Sequence, residues 1–144
     1  MRTMKTLRLL FMLGGAMVAG CQSVKTLLPT PTSQVVDVQR LGLTNLDVSA
    51  CSSLLYLNCG LNQLTNLNVS ACNELRGMDC SHNPLTYLDV SALNISSNKA
   101  LTYVDATGNP LTNIVVWWNP PTIANKPSHL KLLYDGNPTF SSPP

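Results

Sequence analysis

The chain repeats itself every 21 residues, and that echo limits what its 144 residues can fold into more than any other feature. LTNLDVSACSSLLYLNCGLNQ (43–63) is followed by LTNLNVSACNELRGMDCSHNP (64–84). A third copy, LTYLDVSALNISSNKALTYVDATGNP (85–110), carries five extra residues, and LTNIVVWWN follows from Leu111. A unit this short cannot bury an apolar face alone. It has to stack on its neighbours, which means a solenoid.

Within each unit the apolar residues alternate. Leu46 and Val48 point one way while Asn45, Asp47 and Ser49 point the other; Leu57 and Cys59 alternate with Tyr56, Asn58 and Gly60. The pattern recurs at Leu67/Val69, Met78/Cys80, Leu88/Val90, Val104/Ala106 and Ile114/Val116. A period of two over so short a span marks a half-buried strand, and helical spacing is absent from 35 to 118. Each coil should carry two short strands joined by turns, with Asn62-Gln63, Asn83-Pro84 and Asn109-Pro110 at the bends. Equivalent strands of successive coils should lie parallel, about 4.8 Å apart. The expected fold is a β-rich solenoid of about four and a half coils with little or no helix. Val36, Val38, Leu41 and Leu43 keep the spacing ahead of the first full copy. Behind the last, Leu132, Tyr134 and Gly136-Asn137-Pro138 echo it, the triplet matching Gly108-Asn109-Pro110. Residues 119–128 (NPPTIANKPS) break the pattern and should form a loop.

The N-terminus has a different composition. Arg2, Lys5 and Arg8 make a basic start, and Leu9 to Gly20 is apolar and uncharged, too short to span a bilayer as a helix. Val18-Ala19-Gly20-Cys21 resembles the lipobox of bacterial lipoproteins, where small residues precede a cysteine that is lipidated and becomes the mature N-terminus. The alternative is an ordinary signal with an incidental cysteine. The resemblance implies a signal peptide over 1–20, then a lipidated Cys21 and tether over 21–34, whose Pro, Thr and Ser fit a linker. The repeat domain covers 35–140 and a tail 141–144. Gln22 stands where an Asp would imply inner-membrane retention, so the resemblance implies the outer membrane of a bacterial envelope, either face. The formal charge of +2 comes from this segment: without Arg2, Lys5 and Arg8, six Lys/Arg face seven Asp/Glu, a net of −1. No basic patch remains to argue for nucleic acid.

Leu54-x-x-Leu57-x-Cys59-x-x-Asn62-x-Leu64 resembles the leucine-rich repeat, with Cys in the third apolar slot. Leu75, Met78, Cys80, Asn83 and Leu85 repeat it, as do Leu101, Val104, Ala106, Asn109 and Leu111. The repeat length, the L-D-V-S segment and the inward cysteines are similar to the internalin-type repeats of bacterial surface proteins, over about 43–118. Asn62, Asn83 and Asn109 share one slot, where an inward amide can satisfy backbone groups of the turn as a structural ladder.

Four cysteines follow Cys21. Cys51 and Cys72 are one repeat apart, as are Cys59 and Cys80, so each pair should stack on adjacent coils. A Cα separation of about 4.8 Å lies inside the disulfide range, yet parallel Cβ vectors leave the Cβ atoms slightly too far apart. Ala106 follows in the slot of Cys59 and Asn98 in that of Cys51, which reads as packing. Buried free thiols are favoured, with one or two bridges as the alternative in an exported protein.

Chemistry has little material here. Cys80-Ser81-His82 stands alone, with no C-x-x-C or H-E-x-x-H, so no metal or cofactor is expected. His82 falls at a turn and His129 in a degenerate leucine slot. With two histidines and no G-x-S-x-G, an enzyme is not expected. Asp47, Asn68 and Asp89 stack as a polar stripe. What remains are the outward strand positions. On the strands matching the leucine-rich pattern, usually the binding face in that family, these are Tyr56, Asn58, Gly77, Asp79, Tyr103 and Asp105, flanked by Arg76 and Thr102. Trp117 and Trp118 stand together at a strand end, so one must face outward or pack under the 119–128 loop. With those tryptophans, the Tyr/Asp/Asn face suits a protein partner, or alternatively a glycan stacked on Tyr and Trp. A third possibility is a structural repeat protein without a partner site. Tyr134 and Phe140 are expected to cover the last coil, and the tether the first.

Overall fold

The structure is a computed structural model that describes residues 33–93, 101–118 and 121–144, and the backbone of 6–8 and 26–27. Cys21 and most of 1–32 lie outside the described residues. Alternating apolar residues produce short strands throughout. In chain order they are β1 (Thr6–Arg8), β2 (Thr26–Leu27), β3 (Val35–Asp37), β4 (Asn45–Leu46) and β5 (Tyr56–Asn58). Then come β6 (Gly77–Asp79), β7 (Tyr87–Asp89), β8 (Tyr103–Asp105), β9 (Asn113–Val115), β10 (Lys131–Leu133) and β11 (Thr139–Ser141). Among the described residues, helix is confined to two single 3₁₀ turns, Ser91–Leu93 and Ile123–Asn125.

These strands build a β-rich solenoid with parallel pairing. The main sheet runs β1-β3-β5-β6-β8-β10, and the second strand set forms β7-β9-β11 and β2-β4. The repeat period is the register: Val36 lies opposite Leu57, Leu57 opposite Met78, and Met78 opposite Val104. That row and the second row (Leu46, Leu67, Leu88, Ile114) are buried in one core between the two strand sets. Such burial, at roughly 25 cal/mol per Å² of apolar surface, is what a single coil cannot obtain by itself.

The domain runs slightly beyond 35–140. Ser33 is buried, the Gln34 carbonyl accepts from Leu55 and Tyr56, and Ser141 belongs to β11. At the front edge, β2, within the expected tether, pairs with β4 in the first coil. Likewise β1, within the expected signal segment, lies along β3. A parallel edge with unpaired N–H and C=O groups takes up extended chain of this kind.

Four placements differ from expectation. First, Asn66–Asn68 does not pair as a strand, although Leu67 and Val69 are buried and Asn66 and Asn68 exposed. A cleft of about 220 Å³, lined by Asn66, Asn68, Tyr87 and Asp89 among others, lies between this segment and β7. Second, the slot of Cys51 and Cys72 passes to Leu93 rather than Asn98. The amides of Cys51, Cys72 and Leu93 donate to Val48, Val69 and Val90 in the same way. The five extra residues therefore follow Leu93, and Asn98 lies outside the described residues. Third, Asn137 is exposed instead of continuing the Asn ladder. Tyr103 and Asn113 are ten residues apart, while their partners Lys131 and Thr139 are eight apart, so the last turn is too short to repeat the slot. Fourth, His129 is exposed and Leu130 takes the leucine slot.

The Asn ladder itself forms. Asn62 Oδ1 accepts from the amides of Leu41 and Leu43 one coil back, and its Nδ2 donates to Val38, Cys59 and Gly60 carbonyls. Asn83 bridges Leu64 and Cys59 to Cys80 and Ser81. Asn109 bridges Leu85 and Cys80 to Ala106 and Thr107. Among the described residues, no buried side-chain nitrogen or oxygen lacks a hydrogen-bond partner.

Candidate functional site

The outward side of the main sheet is built from two rows that the register aligns. One row is Val35, Tyr56, Gly77, Tyr103 and Lys131; the other is Asp37, Asn58, Asp79, Asp105 and Leu133. Five of the expected binding residues therefore share one face: Tyr56, Asn58, Asp79, Tyr103 and Asp105. Arg76 is exposed beside them, and its carbonyl accepts from Thr102 and Tyr103 of the next coil. Asp37 and Lys131 extend the rows at the ends. Both are reached by stepping the alternation into the two coils where the leucine pattern fades.

Gly77 gives this face its relief. A Cβ there would come within 3.0 Å of Tyr56 Cδ1, so the tyrosine ring leans across the space that the missing side chain leaves. Tyr56 is still 45% exposed. A groove of about 360 Å³ follows, lined by Val35, Asp37, Tyr56, Asn58, Gly77, Asp79 and Tyr103, with Val36, Leu57 and Met78 contributing from the same strands.

The carboxylates do local structural work as well. Asp79 Oδ1 accepts from the Ser81 amide, and Asp105 Oδ1 from the amide and hydroxyl of Thr107. Tyr103 donates its hydroxyl to Asp105 Oδ2 at 3.1 Å. Burial disfavours charge on Asp105, but the bonds from Thr107 and Tyr103 outweigh it and hold the carboxyl below its ordinary value. Burial, with the hydrogen bond to Asp105, pushes the Tyr103 phenol up, so it stays protonated as the donor. The Lys131 ammonium sits 5.8 Å from the Tyr103 ring centroid.

The second strand set repeats the theme in weaker form. Asp47, Asn68 and Asp89 accept from the amides of Ser49, Ser70 and Ser91, so the polar stripe closes turns. Tyr87 is exposed, and its hydroxyl reaches Asp89 Oδ2 at 3.5 Å.

The tryptophans separate. Trp118 is buried and donates Nε1–H to the Thr122 carbonyl, under the loop. It is therefore corrected from a partner-binding residue to a core residue: a large ring beside the last coil is worth more buried than exposed. Trp117 is half-buried, edge-on to Trp118, and Trp118 faces Phe140, which meets Tyr134. Neither tryptophan lines the main-sheet groove.

Cys51, Cys59, Cys72 and Cys80 are all buried, each as a thiol rather than half of a disulfide. Burial pushes Cys59 and Cys72 up to about 12 and Cys80 higher than its ordinary value, so reactive thiolate is suppressed at neutral pH. The Cys80 thiol also donates to the Asp105 carbonyl. Among the described residues, no group of three or more His, Cys, Asp or Glu is placed to hold a metal ion.

No family model matches the chain, and neither the curated proteins nor the solved structures contain a match to it.

Proposed function

We propose that this chain is a lipid-anchored repeat protein of a bacterial envelope that binds a protein partner through the outward face of its main sheet. The observation that carries this reading is the groove where Tyr56, Tyr103 and Asp79 converge over Gly77. Tyr56 is exposed and Tyr103 half-buried, and such rings on a scaffold with a packed core offer contact area at little entropic cost, which suits protein recognition. Lipidation at Cys21 and leucine-rich repeat kinship rest on the sequence resemblances alone. They fit a module that displays a face from a membrane.

The test is capture of a partner from native envelope extract by the full chain. Capture should be lost on Tyr56→Ala/Tyr103→Ala and kept on Tyr87→Ala. Capture indifferent to the first pair would remove the main-sheet face from consideration. A polysaccharide that changes Trp117 emission, with no protein captured, would favour the glycan reading. The anchor has its own test: Cys21→Ala should abolish partitioning into a detergent phase.

A further inference from the structure

We infer that the groove over Gly77 receives an arginine side chain of the partner, its guanidinium lying against tyrosine and hydrogen-bonding to Asp79. This rests on the reading that this face binds a protein, and specifies what the groove would recognise.

Charge complementarity argues for the occupant. The two charged residues lining the groove, Asp37 and Asp79, are both acidic, and Asp105 continues the same row one strand on. Arg76 does not line it, and Lys131 stands beyond Tyr103, on the strand away from Gly77. Asp79 accepts from the Ser81 amide at Oδ1. Asp105, by contrast, is taken up by Thr107 and Tyr103, and its bond fixes the Tyr103 ring at the groove's side.

Shape argues for arginine over lysine. Tyr56 and Tyr103 stand on either side of Gly77, two ladder steps apart, roughly 10 Å between strands. The Tyr56 ring already leans over Gly77, so the aromatic surface on offer is its exposed side, in the same lining as Asp79, which favours a planar cation that can stack and fork to a carboxylate together. The chain already sets one cation of its own against this row, Lys131 over Tyr103.

The experiment uses the full chain and two short peptides, acetyl-Gly-Arg-Gly-amide and its citrulline counterpart, which is nearly isosteric and uncharged. Binding is followed by NMR shifts of the Tyr56 and Tyr103 ring signals. The arginine peptide should bind at millimolar concentration, at least fivefold more tightly than the citrulline peptide. Asp79→Asn should weaken it at least fivefold, while Asp89→Asn, on the other strand set, should leave it unchanged. Asp79→Asn should keep the fold, because Asn58 makes the same kind of turn bond to Gly60 in the neighbouring coil; an unchanged melting temperature checks this. Equal binding of the two peptides, or full binding by Asp79→Asn, overturns the inference. So does a neutral hexasaccharide that shifts the same ring signals while the arginine peptide does not. If the peptides fail but capture still depends on Tyr56 and Tyr103, the arginine slot is wrong and protein binding survives. If the arginine peptide binds but nothing is captured, the protein-binding reading is the one that falls.

Discussion

Asn83 shows how one side chain holds two coils together. Its amide serves the Leu64 amide and Cys59 carbonyl of one coil and the Cys80 and Ser81 carbonyls of the next. Asn83→Ala should cost about 1–3 kcal/mol for the orphaned groups, read as a drop in melting temperature. Asn137→Ala, at an exposed position, should change stability by no more than about 0.5 kcal/mol. The thiols give a pH signature. Cys59 is raised in the fold from 9.0 to about 12, chiefly by burial and then by the Asp79 charge. A raised folded value means full stabilisation below the unfolded value and loss as pH climbs from about 9 toward about 12. Melting temperature should therefore fall above pH 9, and less steeply in Cys59→Ala. Ala106 already occupies the equivalent slot two coils on, so that variant should remain folded. An equal slope in both proteins would show that Cys59 does not drive the loss.

Among the elements, the turn after each main strand is the most informative. Arg40, Leu61, His82, Gly108 and Gly136 share one position in successive coils, and all have positive φ, from 52° to 70°. Left-handed backbone costs a branched or bulky residue roughly 1–2 kcal/mol, a cost that Gly escapes and Asn partly escapes. Leu61, exposed at φ 56°, should accept Asn with a gain of about 0.5–1 kcal/mol in thermal or denaturant unfolding. Gly108 and Gly136 form a matched pair: φ is 69° and 70°, but only at Gly108 would a Cβ run into a neighbour, the His82 ring. Gly108→Ala should destabilise more than Gly136→Ala, and adding His82→Ala should remove the difference. Persistence of the gap in that double-mutant cycle would put its origin elsewhere.

At the scale of the whole molecule, the last coil is closed by aromatic packing. Trp118, Phe140 and Tyr134 form a chain of ring contacts beside the final strands, with centroid separations of 6.3 and 5.6 Å. A repeat array has to cover its terminal apolar layer, and large rings do this with few residues. Trp118→Ala should cost about 3–5 kcal/mol in equilibrium denaturation, and half-buried Trp117→Ala markedly less. Equal costs would mean that the two rings share the cap.

The solenoid, the register of the main sheet and the inward Leu, Cys and Asn rows were legible in the sequence. All three follow from a period and an alternation written locally in the chain: a 21-residue step with two-residue alternation leaves a single way to stack apolar rows. The rows that bring Tyr56, Gly77, Asp79 and Tyr103 together follow from the same step. Only the tertiary structure decided what happens where the copies stop matching. The exposure of Asn137 and the burial of Trp118 depend on loop lengths and on what the neighbouring coil offers, whereas Leu93 follows in the slot of Cys51 and Cys72 by counting from the start of each copy. A residue that occurs once has no period to place it; its position is set by the space left when the repeating rows have packed.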